Sequence, residues 1–142
     1  MKLESPEKQI AEIYSEKDAE IFISKWSNTD SAFHQELNNM LAENDISVSQ
    51  VMKMSGINRN YGYNIINGNR TRPGRDKVLA LCIAARLSLE KTQDMLARAE
   101  AGCLYYNRER DVWIAMCLNN KEGDVLKVNL LLESKGLAPL SV

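Results

Sequence analysis

Ser47 to Gly68, SVSQVMKMSGINRNYGYNIING, is the stretch to which the rest of this chain must be fitted. Ser47 precedes a run holding Val51, Met52 and Met54. A serine there accepts a hydrogen bond from an orphan N–H of a helix's first turn, so the spacing predicts a helix from about Val48 to Ser55. Gly56 ends it, because glycine takes the left-handed backbone that terminates a helix without a Cβ clash. Ile57 is an apolar plug past the turn. Asn58 caps a second helix, which runs to about Asn67 and is stopped by Gly68. In that second helix Arg59, Asn60, Tyr61, Tyr63, Asn64 and Asn67 outnumber the aliphatic Ile65 and Ile66. A helix meant only to fill a core would not be composed in this way.

The stretch resembles the helix-turn-helix of the lambda-repressor-like, Xre-type regulators. Their pattern runs: apolar residue, Ser or Thr, a few polar residues, Leu-Ala, Gly, an apolar residue, Ser, a polar recognition helix, a second Gly and a Pro. Ile46-Ser47 opens the pattern here, Val51-Met52 stands at Leu-Ala, Gly56-Ile57-Asn58 makes the turn, and Gly68 and Pro73 close it. The resemblance spans roughly Phe33 to Ala99. The chain departs from the pattern twice. Gly62 stands where the recognition helix usually has an apolar residue, and Ile66 replaces an acid near its end.

Gly62 costs a helix roughly 1 kcal/mol against alanine. The family's small alanine on the first helix is Met52 here, and its large aliphatic on the second is Gly62. A large-for-small exchange that keeps total volume is the kind a core tolerates best. An exchange of this kind predicts that Met52→Ala is more destabilising than Met54→Ala.

Charge separates along the chain. From Ser47 to Lys91 the bases Lys53, Arg59, Arg70, Arg72, Arg75, Lys77, Arg86 and Lys91 face only Asp76 and Glu90, whereas Met1 to Ile46 holds ten acids against four lysines. The net charge of -1 conceals this polarity, and local sign decides where a phosphate backbone docks. With 142 residues the chain is expected to bury one core with an appendage. No apolar run approaches the roughly 18 residues of a membrane span, and MKLESPEKQIAE lacks a signal peptide's apolar stretch. A cytoplasmic protein without membrane contact is the expectation. Cys82, Cys103 and Cys117 lack CxxC spacing and read as small core residues, with neither disulfide nor zinc.

Before the central stretch, Ser5-Pro6-Glu7 reads as a helix start, with Ile10, Ile13 and Tyr14 following at helical spacing. Ser15 with Asp18 restarts a helix carrying Ile21, Phe22 and Trp26. Residues 27–31 form a polar break, after which Phe33, Leu37, Met40 and Leu41 share one helical face to about Glu43. After it, residues 69–75 form a loop holding Arg70, Arg72 and Arg75. The segment KVLALCIAARL is apolar almost all round, as a central helix should be. Ser88 caps a helix with Leu89, Met95, Leu96 and Ala99 inward and Gly102 as its stop. Asn107 is expected to cap a helix to about Leu118 carrying Val112, Trp113, Met116 and Cys117. Asp124 caps a last one with Val125, Val128, Leu131 and Leu132, ended by Gly136.

The fold expected is all-α: a lambda-repressor-like five-helix DNA-binding domain over residues 31–102. It carries an acidic helical extension over 1–30 and two extra helices over 103–142 that complete the core, mediate dimerisation, or both. The resemblance implies that the helix 58–67 enters the major groove of double-stranded DNA, with Arg59, Asn60, Tyr61 and Asn64 at base edges. The chemistry agrees. Arg pairs bidentately with guanine and Asn with adenine, each contact discriminating by roughly 1–3 kcal/mol. Ser49, Gln50, Lys53, Arg70, Arg72 and Arg75 are expected to hold phosphates and fix register. A homodimer, common in the family, would need half-sites about 34 Å apart. The rival reading is an antitoxin-like or adaptor module that holds a protein partner on its C-terminal helices. His34 is the only histidine, and no nucleophile constellation, carboxylate pair, metal cluster or phosphate-binding loop stands out, so neither catalysis nor a cofactor is expected.

Overall fold

A computed structural model describes residues 9–27, 32–70 and 72–142, and among them every regular element is a helix. The helices are α1 (Glu16–Ser27), α2 (Phe33–Glu43), α3 (Val48–Ser55), α4 (Arg59–Ile66), α5 (Arg75–Ala84), α6 (Leu89–Arg98), α7 (Glu109–Asn119) and α8 (Val125–Ser134). The chain forms two compact units, Met1–Ser31 and Ala32–Val142. In the first, the Ser15 hydroxyl accepts from the Asp18 N–H at 3.0 Å and starts α1 as expected. The helix start at Ser5-Pro6-Glu7 lies outside the described residues.

The second unit is built round α5. Every residue from Val78 to Ala84 is buried, because α5 has neighbours on all sides: α3, α6 and α8 pack against it. Phe33, Leu37 and Leu41 of α2 close one side of that core, Met95 and Leu96 of α6 another, and Val125, Val128 and Leu132 of α8 a third. The segment 103–142 thus shares its core with the helices before it, and α8 touches α3 directly. Reciprocal bonds between the Gln93 carboxamide and the Leu104 backbone, 2.8 and 2.9 Å, fasten the start of that segment to α6.

Lys91 Nζ reaches Glu36 of α2 at 2.7 Å and Asp94 of its own helix at 3.0 Å. Burial pushes the Lys91 amine down, but these two carboxylates outweigh it and leave it above its ordinary value.

Three local expectations differ from the structure. The helix opened by Ser88 ends at Arg98, and Glu100 with φ +53° makes the left-handed turn before Gly102. Arg108, not Asn107, stands at the cap of α7, with no side-chain bond to the helix. The inward face of α7 is Asp111, Ile114, Cys117 and Leu118, so Val112 and Met116 point outward, 48% and 39% exposed. Trp113 is half-buried under Lys135, whose Nζ lies 4.7 Å from the indole centroid, whereas Tyr106 is exposed.

Candidate nucleic-acid interface

The turn between α3 and α4 is set by side chains that bond to backbone. Ser47 Oγ accepts from the Gln50 N–H at 3.1 Å while Gln50 Oε1 accepts from the Ser47 N–H at 3.2 Å, a reciprocal box that satisfies two orphan donors. Gly56 turns left-handed at φ +71°. Buried Ser55 spans the turn, donating to the Met52 carbonyl at 3.1 Å and accepting from the Ile57 N–H at 3.2 Å. Asn58 Oδ1 then accepts from the N–H groups of Asn60 and Tyr61, at 3.1 and 3.4 Å, and starts α4.

The depth of α4 is set by Met52. A Cβ added to Gly62 would stand 2.0 Å from Met52 Cε and 2.7 Å from its Sδ. The glycine is therefore the hollow that the thioether occupies, the exchange of large and small anticipated from sequence. Ile65 and Ile66 are buried beside it. At the far end, Asn38 Nδ2 donates to the carbonyls of His34 at 2.9 Å and Ile66 at 3.0 Å, tying α2 to the last turn of α4. His34 covers Gly68, where a Cβ would come within 2.7 Å of the imidazole and φ is +82°. The only histidine is thus a packing residue against a turn.

With one side of α4 so fixed, the opposite side faces solvent. Arg59, Asn60, Asn64 and Asn67 are exposed and Tyr63 is half-exposed. Arg59 leans over the Tyr63 ring, 5.6 Å from its centroid, and Asn64 Oδ1 accepts a long bond from Asn69 at 3.4 Å. Ser49, Gln50 and Lys53 are exposed along the adjoining edge of α3, although the Gln50 carboxamide oxygen is already engaged by the cap. Tyr61 is only half-exposed. Its ring carries Arg70 at 4.2 Å and Lys77 at 5.4 Å, so the side chain faces the following loop and the start of α5.

Residues 36–90 match the Cro/C1-type HTH DNA-binding domain family. The match begins within α2 and ends at the start of α6, so α3 and α4 lie inside it. Residues 36–90 are a Cro/C1-type helix-turn-helix domain. DNA binding comes with that domain, whose family is typically non-enzymatic. No curated protein and no solved structure matches the chain. No helix among the described residues is long and apolar enough to cross a membrane.

Within the Cro/C1-type domain the three loop arginines part company. Arg70 is exposed and stacked on Tyr61. Arg72 reaches Glu100 at 3.0 Å, but both side chains are well exposed, and such a surface pair exchanges readily for water or phosphate. Arg75, grouped with the phosphate holders by sequence, is turned inward. Its Nη2 donates to the Cys103 carbonyl and to Asp111 Oδ2 at 2.7 Å. Asp111 is 3% exposed and also accepts from the Tyr105 N–H at 2.8 Å, so Arg75 neutralises a carboxylate that α7 brings into the core. A buried acid cannot spare its partner for DNA.

Sequence reasoning counted Lys77 only as part of the basic total and passed over Asn38. Lys77 Nζ donates to the Ser141 carbonyl at 2.7 Å, which brings the end of the described chain to the edge of the interface. That end is held by neighbours: Asp76 pairs with Arg110 through two bonds of 3.0 and 3.2 Å and accepts from the Ser141 N–H at 2.9 Å. Burial pushes the Asp76 carboxyl up, but the Arg110 bonds, the Ser141 N–H and the charge of Arg75 prevail and hold it below its usual range. Arg110 also donates to the carbonyls of Ala138 and Pro139, Leu140 is buried, and Val142 lies against Gly56 of the turn.

Proposed function

We propose that this chain is a sequence-specific transcriptional regulator that reads the major groove of duplex DNA with the exposed face of α4. The observation that carries the reading is the division of α4 into two faces: Gly62, Ile65 and Ile66 buried on Met52 and the core, and Arg59, Asn60 and Asn64 uncovered within their unit. Arg59 and the two asparagines have the donor and acceptor geometry for guanine and adenine edges. Tyr61, half-covered by its cations, serves the reading less as a base contact than as their support. Ser49, Gln50, Lys53, Arg70 and Arg72 hold phosphates. Lys53, Arg59 and Arg70 have no acidic partner among the described residues, so docking on DNA breaks no internal ion pair at these positions.

The protein acts as a homodimer in this reading, with half-sites about one helical turn apart. Exposed Tyr106, Val112 and Met116, and separately Leu126 and Leu130 of α8, supply apolar side chains of the kind that subunit contacts bury. The same side chains support the adaptor reading, in which α7 and α8 hold a different protein. Selection of bound sequences from a random duplex pool, followed by titration at two salt concentrations, separates them. A regulator enriches a site and loses affinity steeply with salt, whereas an adaptor does neither. Arg59→Ala should relax preference at one base position, and Arg72→Ala should weaken all sites about equally and flatten the salt dependence. Indistinguishable effects of the two would mean that their roles are misassigned.

A further inference from the structure

We infer that Lys77 is a further phosphate-contacting residue of this interface, and that Tyr61 and the 137–142 segment are the parts that position it. The inference rests on the DNA-binding reading and adds to it a residue and a dependence on chain outside the Cro/C1-type match. Tyr61 projects from α4 with Arg70 and Lys77 both over its ring, at 4.2 and 5.4 Å from the centroid. Two cations drawn to one aromatic ring repel each other and gain from an anion placed between or beside them, which a phosphate supplies. Lys77 is half-exposed. Its ammonium spends one N–H on the Ser141 carbonyl at 2.7 Å, which leaves two donors for solvent or ligand.

The neighbouring acid does not neutralise it. Asp76 is taken by Arg110 and the Ser141 N–H, and no ion pair of Lys77 is formed among the described residues. The Ser141 carbonyl is in turn placed by bonds outside the matched segment: Arg110 donates to the Ala138 and Pro139 carbonyls, and the Leu140 N–H donates to Asn129 Oδ1 at 2.7 Å. Lys77 is thus held between the recognition helix and the chain's last residues, so how that end is seated sets where one phosphate donor sits.

The test uses the full chain and two duplexes, one carrying the selected site and one of unrelated sequence, titrated from 50 to 200 mM salt. Each phosphate contact contributes about 0.9 to the slope of log affinity against log salt. Lys77→Met is expected to lower that slope by about this amount on both duplexes, with base preference unchanged. Tyr61→Phe should keep the slope, and Tyr61→Leu should lower it by at least as much as Lys77→Met. Leu140→Ala, checked by circular dichroism to remain folded, should shrink the effect of Lys77→Met, and a full effect in that background removes the 137–142 segment from the assignment. A slope untouched by Lys77→Met and Tyr61→Leu overturns the inference, as does a Tyr61→Leu protein that changes preference at one base and nothing else. Native protein that binds neither duplex overturns the DNA-binding reading itself, an outcome distinct from these.

Discussion

Gly62→Ala tests whether α4 is seated on Met52. In an open helix interior the substitution stabilises by about 1 kcal/mol, because the unfolded chain loses glycine's extra freedom. Here the new Cβ would stand 2.0 Å from Met52 Cε and 2.7 Å from Sδ, so the thioether must swing aside. The obstructing atoms are the far end of a flexible side chain, so the response is a rotamer change rather than a shift of backbone. Overpacking of this kind costs about 1–3 kcal/mol, and the middle of that range leaves Gly62→Ala destabilising by about 1 kcal/mol net.

In a Met52→Ala background the obstacle is gone. The same substitution should then stabilise by about 1 kcal/mol, with up to about 0.8 kcal/mol more where the methyl refills the vacated space. The expected coupling between the two positions is therefore about 2–3 kcal/mol, the upper part of the range for residues in contact. Urea unfolding of the four proteins measures it, provided the slope m is the same for all. Equal effects of Gly62→Ala in both backgrounds would refute the reasoning. Met52→Ala alone should also cost more than Met54→Ala, since Met52 is buried and Met54 only half so.

Three further outcomes follow from the same geometry. The Asp76 carboxyl is held below its ordinary value in the folded protein, so its stabilising contribution is present above the usual carboxylate range and is lost as pH falls through the lowered value. The melting-temperature gap between native protein and Asp76→Asn should hold from pH 7 to about 5 and begin to narrow only below about pH 4, the usual carboxylate range; the absence of a gap at pH 7 would count against the Arg110–Ser141 tether. Asn38→Ala should destabilise by about 1–3 kcal/mol, because the Ile66 carbonyl loses its donor at the end of α4, and an unchanged urea midpoint would show that water replaces it. Burial pushes the Cys82 thiol up to about 12, so a thiol reagent at pH 8 should label half-exposed Cys103 and leave Cys82 unmodified until urea is added. Labelling of Cys82 in the native protein would mean that α5 opens.

Local chemistry was legible in the sequence because it is decided within four residues. Ser47, Asn58, Ser88 and Asp124 each accept a backbone N–H of the helix they open, and Gly56 turns left-handed between α3 and α4. Charge partners were not legible, since they come from far along the chain. Arg75 looks like its neighbours Arg70 and Arg72 until α7 brings Asp111 beside it, 36 residues on. Lys77 and Ser141 are 64 residues apart, and nothing near either predicts their meeting. The outward turn of Val112 and Met116 has the same origin: α7 carries apolar residues on two faces, and which face is covered depends on where α6 and α8 pack.

The two departures from the family pattern bear on what the Cro/C1-type domain still does. Each looks, in sequence alone, like damage to a recognition helix, and that impression sustains the adaptor reading. In the structure Gly62 is filled by Met52, and Ile66 is a buried residue, 4% exposed, whose carbonyl Asn38 anchors to α2. Both changes fall on the side of α4 that packs inward. Helix geometry places residues 59, 60, 63, 64 and 67 on the other side, about three and four apart, where neither substitution reaches. That side carries Arg59, Asn60 and Asn64, and both departures lie on the packed side of α4, so neither takes a side chain away from the surface proposed to meet DNA.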